Sequence, residues 1–246
     1  MAPKARGGFG KPPAATLTDG KVSPERKLIV LHTPKCGGTS LFVSLRRAFG
    51  RNQIYRDYRQ GGDEKVASIH DIVQPVIYGH FRAKKYAEIE SATWVTLLRD
   101  PVDRMMSLYF NWRYASLDSL QNRISPIRRD VHTGKMGFLE FASLPNMGNR
   151  MSGAFFADFD MARFKMIILQ DNYDEGVRQF GEWLGIPLRV EARNVSSSRS
   201  EEYENARREV MADPETMGQL RKILAQDIAF YERCLQLPSA IRRQQS

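Results

Sequence analysis

A chain of 246 residues, 42% of them hydrophobic, can bury one good core but is too short for a string of domains. Lys and Arg number 37 against 28 Asp and Glu; the net charge of +9 predicts attraction to polyanions without choosing among nucleic acid, acidic lipid, acidic glycan and phosphorylated nucleotide. The two distant cysteines, Cys36 and Cys234, exclude a disulfide framework and a cysteine metal site, and no early apolar run is long enough for a membrane span, so a soluble protein of the cytoplasm is expected.

Residues 1–26 are rich in Pro, Gly, Ala and Lys with almost nothing to bury, and are expected to form a disordered basic arm. The apolar run at 27–32 predicts a first strand. Leu41, Phe42 and Leu45 then recur at helical spacing, predicting a helix over 38–49. Segments 75–81 and 92–100 read as strands, the second too continuously apolar for a sheet with one wet face. Pro101 stands where a proline opens a helix, and apolar residues at 102, 105, 106, 109 and 112 extend it. The run 121–137 reads as a long loop, and "FLEFASL" and "NRMSGAFFA" as shorter helices. A fourth strand at 164–170 precedes a helix that stops at Gly185. Residues 214–235 predict one long amphipathic helix, and 238–246 a frayed tail. The domain, 27–237, is therefore expected to be α/β: a three-layer sandwich with a central, mainly parallel sheet and helices on both faces.

Open α/β sheets bind ligands beyond the carboxyl ends of their strands, and "PKCGGTS" (34–40) lies there. Gly37 and Gly38 let backbone N–H groups turn towards one oxyanion, Lys35 adds a mobile charge, and Thr39 and Ser40 add hydroxyls at a helix N-terminus. The order is not that of a nucleoside-triphosphate loop, in which the lysine follows the glycines and precedes Ser or Thr. A purely structural Gly-Gly turn is the plainer alternative. A second element, "TLLRDPVDRMMSLYF" (96–110), ends a strand with Arg99 and places Ser107 two helical turns downstream. Read alone, Arg99 is a strand-end arginine capped by Asp103, and Ser107 faces solvent.

Together, "HTPKCGGTSL" followed by "LLRDPVDRMMSLY" closely resembles the carbohydrate sulfotransferases of the heparan sulfate and chondroitin type, relatives of the P-loop kinases that use 3′-phosphoadenosine 5′-phosphosulfate (PAPS). The resemblance implies a P-loop-kinase-like sandwich. It implies that Lys35, Gly37, Gly38, Thr39 and Ser40 hold the 5′-phosphosulfate of PAPS, and that Arg99 and Ser107 hold its 3′-phosphate. "YGHFRAKKY" (78–86) looks like the segment that carries the acceptor-activating histidine in the heparan and dermatan 2-O-sulfotransferases. "NRMSGAF", "ILQDNYDEGVRQFGEWLGIPL" and "RNVSSSR" are looser matches, so the likeness spans about residues 27–235. Cys36 replaces the usual threonine and Gln170 a common acid, and the absence of the Golgi enzymes' membrane anchor weakens the case for a glycosaminoglycan substrate.

Sulfuryl transfer needs a cation at the leaving phosphate and a base for the acceptor hydroxyl; Lys35 suits the first, and no magnesium need be invoked. Of four histidines, His32 reads as a packed imidazole, His70 as a turn residue and His132 as a loop residue. His80 ends an apolar strand beside the expected crevice, as base or as a satisfied strand-end imidazole, and the resemblance favours the base. Arg82, Lys84 and Lys85 are acceptor contacts or a solvated face, and Trp112 reads mainly as core. The acceptor implied is a carbohydrate hydroxyl; the basic arm is free to associate with an acidic surface. The rivals are a P-loop-like nucleotide or small-molecule kinase, a basic nucleic-acid-binding module, and a pseudoenzyme that binds nucleotide without transfer.

Overall fold

The computed structural model describes residues 14–58, 71–114, 125–190 and 201–242. The arm up to residue 13, His70, the "RNVSSSR" segment and the tail beyond residue 242 lie outside them.

In chain order the elements are α1 (Ala14–Leu17), β1 (Leu28–His32), α2 (Gly38–Phe49), β2 (Ile54–Asp57), β3 (Val76–Gly79), β4 (Thr93–Leu98), α3 (Pro101–Arg113), α4 (Pro126–Thr133) and α5 (Phe138–Ala142). A π-helical turn (Arg150–Phe155) leads to β5 (Phe164–Leu169), α6 (Tyr173–Leu184), α7 (Glu201–Ala212), α8 (Pro214–Ile223), α9 (Ala225–Leu235) and β6 (Ala240–Ile241). The strands form one sheet in the order β2-β3-β1-β4-β5-β6, and every neighbouring pair is parallel.

Side chains along a strand point alternately to opposite faces, and both faces here are apolar. Ile29, Leu31, Ile77 and Trp94 enter one layer with Phe155, Phe156 and Phe230. Leu28, Val30, Tyr78 and Val95 enter the other, against Leu41 and Leu45 of α2 and Val177 and Phe180 of α6. The three-layer α/β sandwich expected from the alternation is what forms. A third cluster, among them Met105, Phe110, Val131, Phe141 and Leu220, joins α3, α4, α5 and α8 beside the sheet.

Several elements depart from expectation. The edge strand β2 shows only buried ends around a half-buried and an exposed residue, a pattern too weak to read from four residues. The tail expected to fray from 238 contributes β6, whose Ala240 and Ile241 pair with Ile167 and Ile168. The arm expected through residue 26 is packed in its last part: Thr18 and Val22 are fully buried, and Lys21 Nζ donates to the Trp183 carbonyl at 2.7 Å. The loop expected over 121–137 holds α4, opened by Pro126 and capped by Ser125, so His132 lies in a helix rather than a loop. Helix α7 was not expected; it buries Tyr203 and packs Ala206 and Val210 on the helical cluster. The long helix expected over 214–235 breaks at Leu224, because its halves bury different residues in different places. Leu220 and Leu224 join the helical cluster, while Phe230, Tyr231 and Cys234 pack under the sheet. Among the described residues no helix is long and apolar enough to cross a membrane.

Candidate active site

Strand β1 has β3 on one side and β4 on the other. The chain therefore leaves the sheet in opposite directions around β1, the arrangement that opens a crevice at strand carboxyl ends. Leu31 is level with Gly79 and His32 with Leu97. The turn after β1, His80 and Arg99 thus emerge at one edge of the sheet.

The turn after β1 is shaped by its main chain. Lys35 (φ 73°) and Gly37 (φ 87°) both occupy the left-handed region, which for a lysine costs about 1–3 kcal/mol and persists only where the surroundings enforce it. Alternating left-handed residues turn successive N–H groups into an anion-binding concavity. Gly37 is also the N-cap of α2, and no side chain caps that helix. Cys36 points inward, fully buried, with its Sγ 2.9 Å from Thr33 Oγ1; burial pushes its thiol pKa up. The glycines are sterically required. A Cβ on Gly37 would lie 2.9 Å from the Tyr173 ring, and one on Gly38 would lie 2.1 Å from the His32 ring. The Tyr78 hydroxyl donates to the Gly38 carbonyl and pins the turn from beneath. Lys35 is half-buried, Thr39 exposed and Ser40 buried.

The turn after β4 is shaped by side chains. Asp100 accepts from the Asp103 N–H at 3.0 Å and caps α3, with Pro101 at its first position. Arg99 Nη1 donates to the Lys35 carbonyl at 3.4 Å, so the two sequence-predicted cradles meet. The Asp103 carboxylate, the alternative cap for Arg99, pairs with Arg207 at 2.9 Å. Ser107 does not face solvent; it is 3% exposed, on the buried side of α3. One turn before it lies Arg104, fully buried, its Nη2 3.7 Å from Asp227 Oδ2. None of the Arg104 guanidinium nitrogens meets a hydrogen-bond partner among the described residues. Asp227 instead accepts from the Met151 N–H at 3.0 Å and from the Ser152 N–H and hydroxyl at 2.8 Å each. Burial lowers the Arg104 pKa, with Asp227 acting against it and Arg99 adding to it. Burial likewise lowers that of Arg150, helped by Arg104. The buried Arg104 and the half-buried Arg99 and Arg150 thus bring positive charge to one poorly hydrated region, an arrangement that favours an incoming anion.

His80 follows β3. Its N–H donates to the Asp57 carbonyl at 2.8 Å, a contact so close that a Cβ on Gly79 would lie 1.6 Å from that oxygen. Its Nε2 is 3.1 Å from His32 Nδ1. Tyr58 and Phe155 edge its ring at 4.8 and 6.5 Å between centroids. Burial, reinforced by the Arg150 charge, lowers its pKa to about 4, so it is neutral at pH 7. A neutral imidazole at a strand-end crevice can accept a proton.

The basic trio after His80 divides. Lys85 pairs with the buried Asp57, which also accepts from the Tyr86 hydroxyl at 2.8 Å. Lys84 meets the exposed Asp158 at 3.8 Å, and Arg82 is exposed. Trp112 packs on Phe141 at 5.3 Å, as a core residue does. His32, Tyr58, Arg104 and Arg150 were not singled out as site residues from the sequence. His32 carried a signal in its position just before the turn; the others reach the site only through packing.

No curated protein matches the chain. Among solved structures, the crystal structure of mouse sulfotransferase SULT7A1 complexed with PAP is similar at 11% identity and a TM-score of 0.47, over 89% of this chain and 94% of that one. Residues 19–232 match the model of the sulfotransferase family, and the chain belongs to that family.

Proposed function

We propose that this protein transfers the sulfuryl group of PAPS to an acceptor hydroxyl, that of a carbohydrate, by in-line displacement. Lys35 stabilises the leaving phosphate and His80 takes the acceptor proton. The observation that carries this reading is the meeting of the two cradles: Arg99 reaches the carbonyl of Lys35, while His80 stands at the same sheet edge, against His32. The residues fit the donor. The left-handed positions at Lys35 and Gly37, the uncapped start of α2 and the guanidinium group of Arg99 suit two separate phosphates on one nucleotide.

When bound, PAPS supplies an activated sulfuryl group and a phosphate leaving group. The protein's part is placement and charge. Gly37, Gly38, Thr39 and Ser40 orient the 5′ end, and Arg99 and Ser107 the 3′ end. As the acceptor oxygen bonds to sulfur, its proton passes to His80; as the sulfur–oxygen bond to phosphate breaks, Lys35 offsets the charge left on that oxygen. The two cysteines, free and buried, suit a reducing compartment such as the cytoplasm.

Thermal-shift titration tests the reading: adenosine 3′,5′-bisphosphate should raise the melting temperature with concentration, by mass action on the folded state. A shift with ATP–magnesium alone would favour a kinase. Strongly salt-dependent binding to DNA or RNA that ignores free nucleotide would favour the nucleic-acid module. His80→Ala should lower transfer by about 10²–10⁴-fold while bisphosphate binding survives; an equal loss of both would make His80 structural.

A further inference from the structure

His80 does not stand alone. Its Nε2 faces Nδ1 of His32 at 3.1 Å, and Nε2 of His32 approaches the Tyr58 hydroxyl at 3.5 Å. The rings of His32 and His80 meet edge-on, with centroids 4.2 Å apart and planes at 72°. His32 is held there by Tyr78, 5.0 Å away between centroids, and by Gly38, which alone leaves room for its ring. We propose that His32 is a positioning residue that fixes the tautomer of His80: His80 Nε2–H donates to His32 Nδ1, leaving the lone pair of His80 Nδ1 for the acceptor hydroxyl. This rests on the reading of His80 as the base.

Two facing neutral imidazoles must divide one donor and one acceptor between them. In one polarity His32 Nδ1–H donates to His80 Nε2. His80 then carries its own proton on Nδ1 and has no lone pair left to take another. In the opposite polarity Nδ1 of His80 is bare, and nothing need rearrange when it is protonated. The same Nε2–H continues to donate to His32, and more strongly once the ring is cationic. The bond therefore favours the transition state over the ground state, which is the condition for accelerating the chemistry. His32 in turn carries its proton on Nε2, directed at the Tyr58 oxygen.

The usual orienter of a basic histidine is a carboxylate. Asp57 meets His80 through its main-chain carbonyl, and its carboxylate is engaged by Lys85 and Tyr86. A neutral orienter suits a site crowded with cations. Three titratable groups from three segments bear on His80: His32 from β1, Tyr58 just after β2 and Arg150 from the π-helical turn. Burial holds His32 neutral, aided by His80 and opposed by a main-chain hydrogen bond with Thr33, and burial keeps the Tyr58 hydroxyl protonated by raising its pKa. Arg150 is the only permanent charge among them.

Nitrogen NMR of the imidazole rings in the full chain at pH 7 tests the assignment without reference to activity. His80 should be protonated at Nε2 and bare at Nδ1. His32→Asn, whose amide oxygen can accept in place of Nδ1, should keep that tautomer and keep kcat within about tenfold of the unmodified protein. His32→Phe should lose the tautomer preference and at least about 10²-fold in kcat, with adenosine 3′,5′-bisphosphate affinity held within about threefold. A proton on His80 Nδ1 in the unmodified protein would overturn the proposal, as would an unchanged tautomer in His32→Phe. Equal losses of kcat and nucleotide affinity in both variants would reduce His32 to a support of the turn. If His32→Phe fails to fold, the unmodified protein and His32→Asn still decide. Should His80→Ala keep full transfer, the base reading falls, while the measured tautomer still stands or fails on its own.

Discussion

The turns after β1 and β4 lie at the same sheet edge and touch through Arg99 and Lys35, yet they are built from different materials. The first is backbone: a left-handed lysine, a left-handed glycine and a second glycine with no room for a Cβ. The second is an ordinary capped helix start whose working parts are side chains, Arg99 in front and the buried Arg104 behind. Steric exclusion protects the first turn; charge, held in place by Asp227, organises the second. The two should therefore fail in different ways.

The largest effect is expected at the support of the second turn. Asp227→Ala removes the acceptor for three hydrogen bonds of Met151 and Ser152 and strands the Arg104 guanidinium, fully buried. Breaking such a pair costs about 3–5 kcal/mol, measured as a drop in the denaturant midpoint at unchanged m-value. Gly38→Ala comes next. Its methyl would overlap the His32 ring, so transfer should fall about 10²-fold or more while global stability falls far less than in Asp227→Ala. A Gly38→Ala enzyme with normal kcat would remove the claim that the first turn depends on close approach. Arg99→Met should weaken adenosine 3′,5′-bisphosphate binding by about 10–100-fold, the loss of a charge-assisted contact, in equilibrium titration. The smallest effect is expected at Lys84→Ala. Lys84 and Asp158 are both mostly exposed, and stability should stay within about 0.5 kcal/mol.

Acidification separates the histidine pair from both turns. His80 titrates at about 4 in the folded chain, against about 6.5 when unfolded. Between those values the unfolded state binds a proton that the folded state does not, so stability falls as pH drops below about 6.5. His32, also lowered, adds in the same direction. Transfer per folded molecule should nonetheless hold from pH 7 to about pH 5 and fall only as pH passes through about 4, which a pH–rate profile corrected for the unfolded fraction would detect.

Much of the scaffold was legible because strong periodicity and local chemistry agree. The strands β1, β3 and β4 are largely apolar runs, β5 is one but for the exposed Lys165, and α2 and α3 carry their own start signals in Gly37 and in Asp100-Pro101. The weak elements were not: β2 and β6 exist because a neighbouring strand offers partners, and the break at Leu224 because two cores compete for one helix. At the site, the sequence pointed to Lys35, Gly37, Gly38, Arg99 and His80. Arg104 and Arg150 lie inside the stretches "LLRDPVDRMMSLY" and "NRMSGAF", but nothing local marked them as facing the site, and Tyr58 belongs to no local pattern.

By itself, then, the amino-acid order determined the turns, the strand ends and the residues carried there, because each depends on neighbours a few positions away: a glycine with no side chain, a proline at a helix start, an alternation of apolar groups. Only the tertiary structure decided which strand end faced which. The contact of Arg99 with Lys35 and of His80 with His32 joins residues 64 and 48 positions apart. Such encounters follow from strand order and register, which the packing of both sheet faces selects, and which no local stretch of chain encodes.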